Sequence, residues 1–115
     1  MKHTVSLKEN RQFRRLYAKG KSAVGSHFVL YCRKNRLGKN RLGITVGGKL
    51  GHAVVRNRVR RQIREIYRIH EDEYSVGYDF VAVARVRAVH ADFAKLEREF
   101  LTLMDKLGLW KREAE

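Results

Sequence analysis

The sequence predicts a single α+β domain, and three observations carry that prediction. The chain has 115 residues, 43% of them hydrophobic, which is enough to fill one core. Three segments repeat apolar residues at helical spacing. Between them lie short runs rich in Val, Ile, Phe and Tyr, with the length and composition of strands.

The first helix is expected from about Leu7 to Lys19, with Leu7, Phe13, Leu16 and Tyr17 as apolar positions and Gly20 as its stop. Ser6 is its expected N-cap, and Glu9 three residues on completes a capping box. Phe13 and Tyr17 share one side of this helix between the cations Arg14, Arg15 and Lys19. They serve either as core residues or as a surface on which bases stack, and helical spacing alone leaves both readings open. Two strands follow, His27 to Arg33 and Arg41 to Val46, with Ser22 to Gly25 as a further short one. The polar, basic linker Lys34 to Asn40 carries a glycine and suits an antiparallel hairpin. Alternation within residues 27–33 assigns Phe28, Leu30 and Cys32 to the core face and His27, Val29, Tyr31 and Arg33 to the other. That second face sets an aromatic ring beside a cation.

After the glycine-rich turn Gly47-Gly48-Lys49-Leu50-Gly51, a helix begins near Ala53 and runs toward His70. The turn lacks the Gly-Lys-Ser/Thr ending of a nucleotide-binding loop. At roughly 100° per residue, Val55, Val59, Ile63 and Ile66 fall on one side of the helix, and Arg56, Asn57, Arg60, Arg61, Arg64 and Arg68 on the other. Between Lys49 and His70, seven Lys or Arg side chains stand against one acid, Glu65. Like charges four residues apart cost a few tenths of a kcal/mol per pair, so this face is not arranged for solubility. A guanidinium grips a phosphate through two parallel hydrogen bonds, and every basic residue here after Lys49 is an arginine. The acidic cluster Glu71-Asp72-Glu73 closes the helix and is expected in a loop. Asp79 to Arg85 reads as a strand buried on both sides, because its apolar run is nearly continuous. The last helix, about Ala91 to Leu107, carries the stripe Phe93, Leu96, Phe100, Leu103, Met104 and Leu107 and stops at Gly108. Its outer face mixes Lys and Glu and reads as structural; a charged tail ends the chain.

The formal net charge of +14 calls for a polyanionic partner. Nucleic acid fits better than a membrane, because the chain has no long apolar run and no lipidation signal. The first residues lack the apolar segment of a secretory signal, so a cytoplasmic location is expected. The lone Cys32 sits in an apolar run and reads as a buried, inert thiol. One acidic cluster and five scattered histidines offer neither the carboxylate set of a metal-dependent nuclease nor a zinc pattern, and no nucleophile motif is present. The chain therefore reads as a binder whose chemistry resides elsewhere, with no catalytic residue and no metal ligand of its own. A structural RNA-binding protein, such as a ribosomal protein, is the main alternative. A module that lays the arginine helix in the major groove of DNA is a second, although no helix-turn-helix pair is visible.

The run from Lys49 to Glu65, KLGHAVVRNRVRRQIRE, resembles the signature of the bacterial ribonuclease P protein subunit. Phe13-x-x-x-Tyr17 with the following Gly20, and the run His27 to Tyr31, are similar to that family as well, and the resemblance covers about residues 6 to 107. It implies an αβββαβα order on a small four-stranded sheet, structured over about residues 6–110, with the arginine helix in a left-handed crossover, against the usual preference for right-handed connections. It also implies a protein that binds a catalytic RNA and the single-stranded 5′ leader of precursor tRNA, with the RNA performing the cleavage. Mg²⁺ would serve that RNA-centred reaction rather than bind tightly to the protein, and no membrane or obligate protein partner is implied. Carried onto this chain, Lys49, Arg56, Asn57, Arg58, Arg60, Arg61, Arg64 and Arg68 would contact the catalytic RNA. Phe13, Tyr17, Tyr31 and Arg33 would line the leader cleft. The chain departs from the family where a Ser-Lys-Lys type sequence is common, having Gly47-Gly48-Lys49 instead.

Overall fold

The computed structural model describes residues 1–109; the charged tail beyond lies outside the described residues. The elements are β1 (Thr4–Ser6), α1 (Asn10–Lys19), β2 (Lys21–Val24), β3 (Phe28–Lys34), β4 (Asn40–Thr45), α2 (Ala53–Ile69), β5 (Tyr78–Ala84) and α3 (Phe93–Lys106). Three 3₁₀ turns, Gly48–Leu50, Glu71–Glu73 and Val86–His90, join them. The domain is α+β, as expected, but its sheet has five strands in the order β1-β4-β5-β3-β2 rather than four.

The additional strand is β1. It pairs in parallel with Asn40–Leu42 of β4, and its entry is fixed by Glu71, whose carboxylate accepts from the backbone amides of Lys2 at 2.6 Å and His3 at 3.1 Å. The Thr4 hydroxyl meets the Tyr67 hydroxyl at 2.9 Å. A three-residue strand held by partners from a distant turn has no local periodicity to announce it. Its presence displaces the expected cap: Ser6 lies in β1, α1 starts at Asn10, and the capping box is formed by Glu9 and Gln12. Glu71 is buried, so the acidic cluster is an anchor and not an open loop.

The linker Lys34 to Asn40 does not make a hairpin, because β5 lies between β3 and β4. β5 pairs antiparallel with β3 and parallel with β4. Its start is the reason: Asp79 receives Nε and Nη2 of Arg41 on β4, both at 2.7 Å, and Nδ2 of Asn35 at the end of β3 at 2.9 Å. The antiparallel hairpin is formed by β2 and β3 around Gly25–His27. As expected of an apolar run, β5 is buried on both faces, with Phe80, Val81 and Ala82 inaccessible to solvent. Because β4 and β5 are parallel neighbours, α2 lies in a crossover between them.

The two faces of the sheet carry separate cores. Phe28, Leu30, Cys32, Phe80 and Ala82 face α2 and α3, meeting Val59, Ile63, Ile66 and Tyr67 of the first and Leu96, Phe100, Leu103 and Met104 of the second. α3 begins two residues into its expected span, where the Asp92 carboxylate accepts from the Lys95 amide at 2.8 Å. On the opposite face, a smaller cluster of Leu7, Leu16 and Val81 holds α1, with Phe13, Tyr31 and Val83 packed around it.

Candidate nucleic-acid interface

A single short helix cannot cover a five-stranded face, and α1 leaves much of its face open. The register places Val24, Val29, Val83 and Thr45 in one row across β2, β3, β5 and β4, and Ser22, Tyr31, Val81 and Gly43 in the next. α1 sits over the second row. Val24 remains 61% exposed, and Val29, Tyr31 and Val83 are only half-buried. The rings of Tyr17 and Tyr31 meet edge-on with centroids 5.1 Å apart, and the Tyr17 hydroxyl lies 3.1 Å from that of Thr45. Tyr17 is thus held upright from two sides while still presenting an exposed ring to solvent.

Phe13 has one side in the core and one on the surface. Its inner side packs against the Leu7–Leu16–Val81 cluster, and it is half-buried. Its outer side lines a groove of about 600 Å³, bounded by Asn10, Arg14 and Tyr17 on α1, Ile44 and Thr45 on β4 with Val46 just beyond, and Arg60 on α2. A neighbouring groove of about 610 Å³ shares Phe13, Ile44 and Arg60 and adds Arg64 and β1. β1 pairs with β4 only as far as Leu42, so the β4 edge from Gly43 onward forms the floor between α1 and α2. Helical spacing identified the rings and the arginines; the β4 contribution depends on where β1 stops pairing and has no local signal.

The arginine helix divides its cations. Val59, Ile63, Ile66 and Tyr67 are buried, which turns Arg60 and Arg64 toward the groove. Arg60 donates to the Asn57 side-chain carbonyl at 2.9 Å. Arg68 forms an ion pair with Glu65; that hydrogen bond holds the Glu65 carboxyl below the usual carboxylate range and raises the guanidinium further. Among the described residues, Lys49, Arg61 and Arg64 make no side-chain hydrogen bond or ion pair, and Nε of half-buried Arg56 has no partner. Arg58 stands apart from the others: it lies on the opposite flank and donates to the Val89 carbonyl at 2.8 Å.

Arg33 also stands apart from the aromatic groove. It shares the open face with Tyr31 but lines a different cavity of about 410 Å³ with Lys19, Lys21, Lys34 and Tyr78. Its Nη1 is buried there without a hydrogen-bond partner. Lys49 is exposed on the 3₁₀ turn before α2, and the space around Gly48 is open, with nothing within 4 Å of a Cβ placed there.

Among the described residues, no three His, Cys, Asp or Glu side chains converge as metal ligands. Burial pushes the Cys32 thiol up to about 11, with Lys21 opposing, so it is held as the unreactive thiol. No helix among the described residues is long and apolar enough to cross a membrane. What the surface can do is bind: cations without acidic partners flank a floor of rings and aliphatic side chains.

Comparison with known proteins places the chain in a family. The family model described as Ribonuclease P matches residues 1–108. The ribonuclease P protein component of Natranaerobius thermophilus is 42% identical over 112 residues, covering 97% of each chain. That of Clostridioides difficile is 40% identical over 107 residues, covering 92% of this chain and 94% of its own. The crystal structure of the Staphylococcus aureus RNase P protein superposes with a TM-score of 0.85 at 31% identity, over 92% of this chain and 97% of that one. The Thermotoga maritima RNase P protein superposes with a TM-score of 0.80 at 32% identity, over 88% and 96%. On sequence and on fold, the chain belongs to the ribonuclease P family of protein components.

Proposed function

We propose that this protein binds a catalytic ribonuclease P RNA through the arginines of α2 and holds the single-stranded 5′ leader of precursor tRNA along the groove beside α1. The RNA then cleaves the leader endonucleolytically to give the mature tRNA 5′ end, in the cytoplasm. The observation that carries this reading is Arg60, which lines the same two grooves as Phe13. One continuous surface thereby offers rings for bases and guanidinium groups for phosphates.

Each part has a physical role. Lys49, Arg56, Arg61 and Arg64, with Asn57, Arg60 and Arg68 beside them, neutralise RNA phosphates and release condensed counterions, which makes binding steeply salt-dependent. Tyr17, backed by Tyr31, and the outer side of Phe13 stack extended bases, worth about 1–3 kcal/mol per base. Mature tRNA lacks the leader, so these contacts raise the affinity for precursor without retaining product. Mg²⁺ serves the RNA-centred reaction. Among the described residues, no three His, Cys, Asp or Glu side chains converge as ligands for such an ion.

The test is reconstitution of purified protein with a bacterial ribonuclease P RNA and a leader-bearing precursor tRNA, at Mg²⁺ too low for the RNA alone. Accurate 5′ maturation that needs both components is the expected result. Tight RNA binding with unchanged cleavage would overturn the reading in favour of a structural RNA-binding protein.

A further inference from the structure

We infer that the protein carries a second RNA-binding surface, on its α3 side, that grips the phosphate backbone of a helical segment of the catalytic RNA. This inference rests on the function proposed above. The surface begins at an open cleft of about 630 Å³ between the β2–β3 turn, the strand end at Arg85 and α3, with Arg85, Arg87, Arg98 and Lys106 in its walls. A smaller cleft of about 340 Å³ shares Ser26 and Arg87 with it and adds His90 and Lys95. Arg58, the α2 arginine that points away from the aromatic groove, is bonded to Val89 next to His90, so it extends the same basic strip.

The acid in the wall does not cancel these cations. Glu99 is turned into the β2–β3 turn, where its carboxylate accepts from the amides of Ser26 at 2.7 Å, His27 at 2.8 Å and Phe28 at 3.2 Å. The approach is close enough that a Cβ on Gly25 would meet the Glu99 carboxyl carbon at 2.6 Å. Arg85 fixes the turn from the other side by donating to the Gly25 carbonyl at 2.8 Å. Arg87, Arg98, Lys95 and Lys106 are exposed and, among the described residues, make no side-chain hydrogen bond or ion pair. The result is a turn tied from two sides and framed by outward-facing cations, and the one acid among the described lining residues, Glu99, is occupied.

The missing ring decides the ligand. Among the described residues, neither cleft is lined by Phe, Tyr or Trp, whereas the groove beside α1 is lined by Phe13 and Tyr17. Single strands are held by stacking on rings, while helical RNA is held by its phosphates and 2′-hydroxyls. α3 and α1 pack on opposite faces of the sheet. A precursor tethered by its leader on the α1 face leaves the α3 side to the other RNA. Two separate basic surfaces, one on α2 and one beside α3, would let the catalytic RNA hold the domain at two places, the second contact forming at the raised effective concentration set by the first.

The experiment compares the full-length wild type, an Arg87→Gln/Arg98→Gln double variant and a Lys34→Gln/Lys39→Gln control. Binding to ribonuclease P RNA is measured over a salt series, and binding of precursor and mature tRNA is measured on the assembled holoenzymes. Expected is a weaker affinity for the catalytic RNA in R87Q/R98Q, with a log K against log salt slope shallower by roughly two. The control should change less, and the precursor-to-mature ratio should match the wild type. Circular dichroism melts confirm that the exposed substitutions leave the fold intact. Equal losses in both double variants would overturn the proposal, as would intact catalytic-RNA binding with weakened precursor binding. The proposed function fails separately, if the wild-type holoenzyme shows no preference for precursor over mature tRNA.

Discussion

Gly43 of β4 lies directly beneath the ring of Phe13: a Cβ at position 43 would stand 2.6 Å from both Cε1 and Cζ. The aromatic wall of the groove is therefore seated on a residue with no side chain. Gly43→Ala should displace the ring and destabilise the fold by about 1–3 kcal/mol, as overpacking does. Phe13→Leu removes the ring edge while retaining apolar contact with Leu7 and Leu16, and should cost about 1 kcal/mol of stability. Both variants should weaken precursor binding and leave mature tRNA binding unchanged. Urea denaturation and parallel binding to the two tRNAs check this. Unchanged stability in Gly43→Ala would mean that the ring has free room to move.

Tyr17 tests the stacking surface with little cost to the core, since it is 41% exposed. Tyr17→Leu should lower holoenzyme affinity for leader-bearing precursor by about 1–3 kcal/mol, the worth of one stacked base. Tyr17→Phe loses only the exposed contact with Thr45 and should stay close to wild type. Equal losses in both variants would assign the effect to the hydroxyl rather than the ring.

The unpaired cations of α2 predict a salt signature. Arg61→Gln/Arg64→Gln should reduce the slope of log K against log salt for catalytic-RNA binding by roughly two. Thermal stability should remain within about 0.5 kcal/mol, because both residues are exposed. Gly48→Lys should act in the opposite sense. The position has open space, and its φ is not in the left-handed region, so a side chain there is tolerated and adds a cation beside Lys49. The slope should steepen by roughly one. A melting temperature that falls while the slope stays fixed would remove position 48 from the interface.

Much of the fold was legible because its signals are local. The three helices, strands β2 to β5 and the burial of Phe28, Leu30 and Cys32 follow from local pattern, which reports on one face of one element. What was not legible is pairing between distant segments. β1 depends on Glu71 and Tyr67, more than sixty residues away, and the place of β5 between β3 and β4 depends on how Asp79 is shared by Arg41 and Asn35. The same limit applies to the site. The helical wheel grouped Arg60 and Arg64, but only the bond to the Val89 carbonyl shows that Arg58 points away from them, and only the cavity that Arg33 shares with Lys19, Lys21 and Tyr78 shows that it lies outside the aromatic groove.

Two adjacent titrating groups, His70 and Glu71 at the start of one turn, predict the pH range over which the N-terminal strand and α3 stay docked. For Glu71, burial alone would raise the carboxyl, but hydrogen bonds from Thr4 and the Lys2 and His3 amides, with the N-terminal charge, bring it below its ordinary 4.5. A depressed acid contributes stability above its unfolded value and loses it as pH falls through the folded one. For His70, burial would lower the imidazole, but hydrogen bonds to Glu73 and to Glu97 of α3 raise it above 6.5. A raised base contributes fully below its unfolded value and loses that contribution as pH rises through the folded one. Both contributions are therefore in place together between about pH 4.5 and 6.5. Urea midpoints should show Glu71→Gln differing from wild type above this carboxylate range and converging on it in acid. His70→Gln should differ most below pH 6.5 and converge on wild type in alkali. Amide exchange locates the losses, in β1 for the first and at the α2–α3 contact for the second. If His70→Gln kept the same alkaline decline as wild type, the imidazole clamp would not be its source.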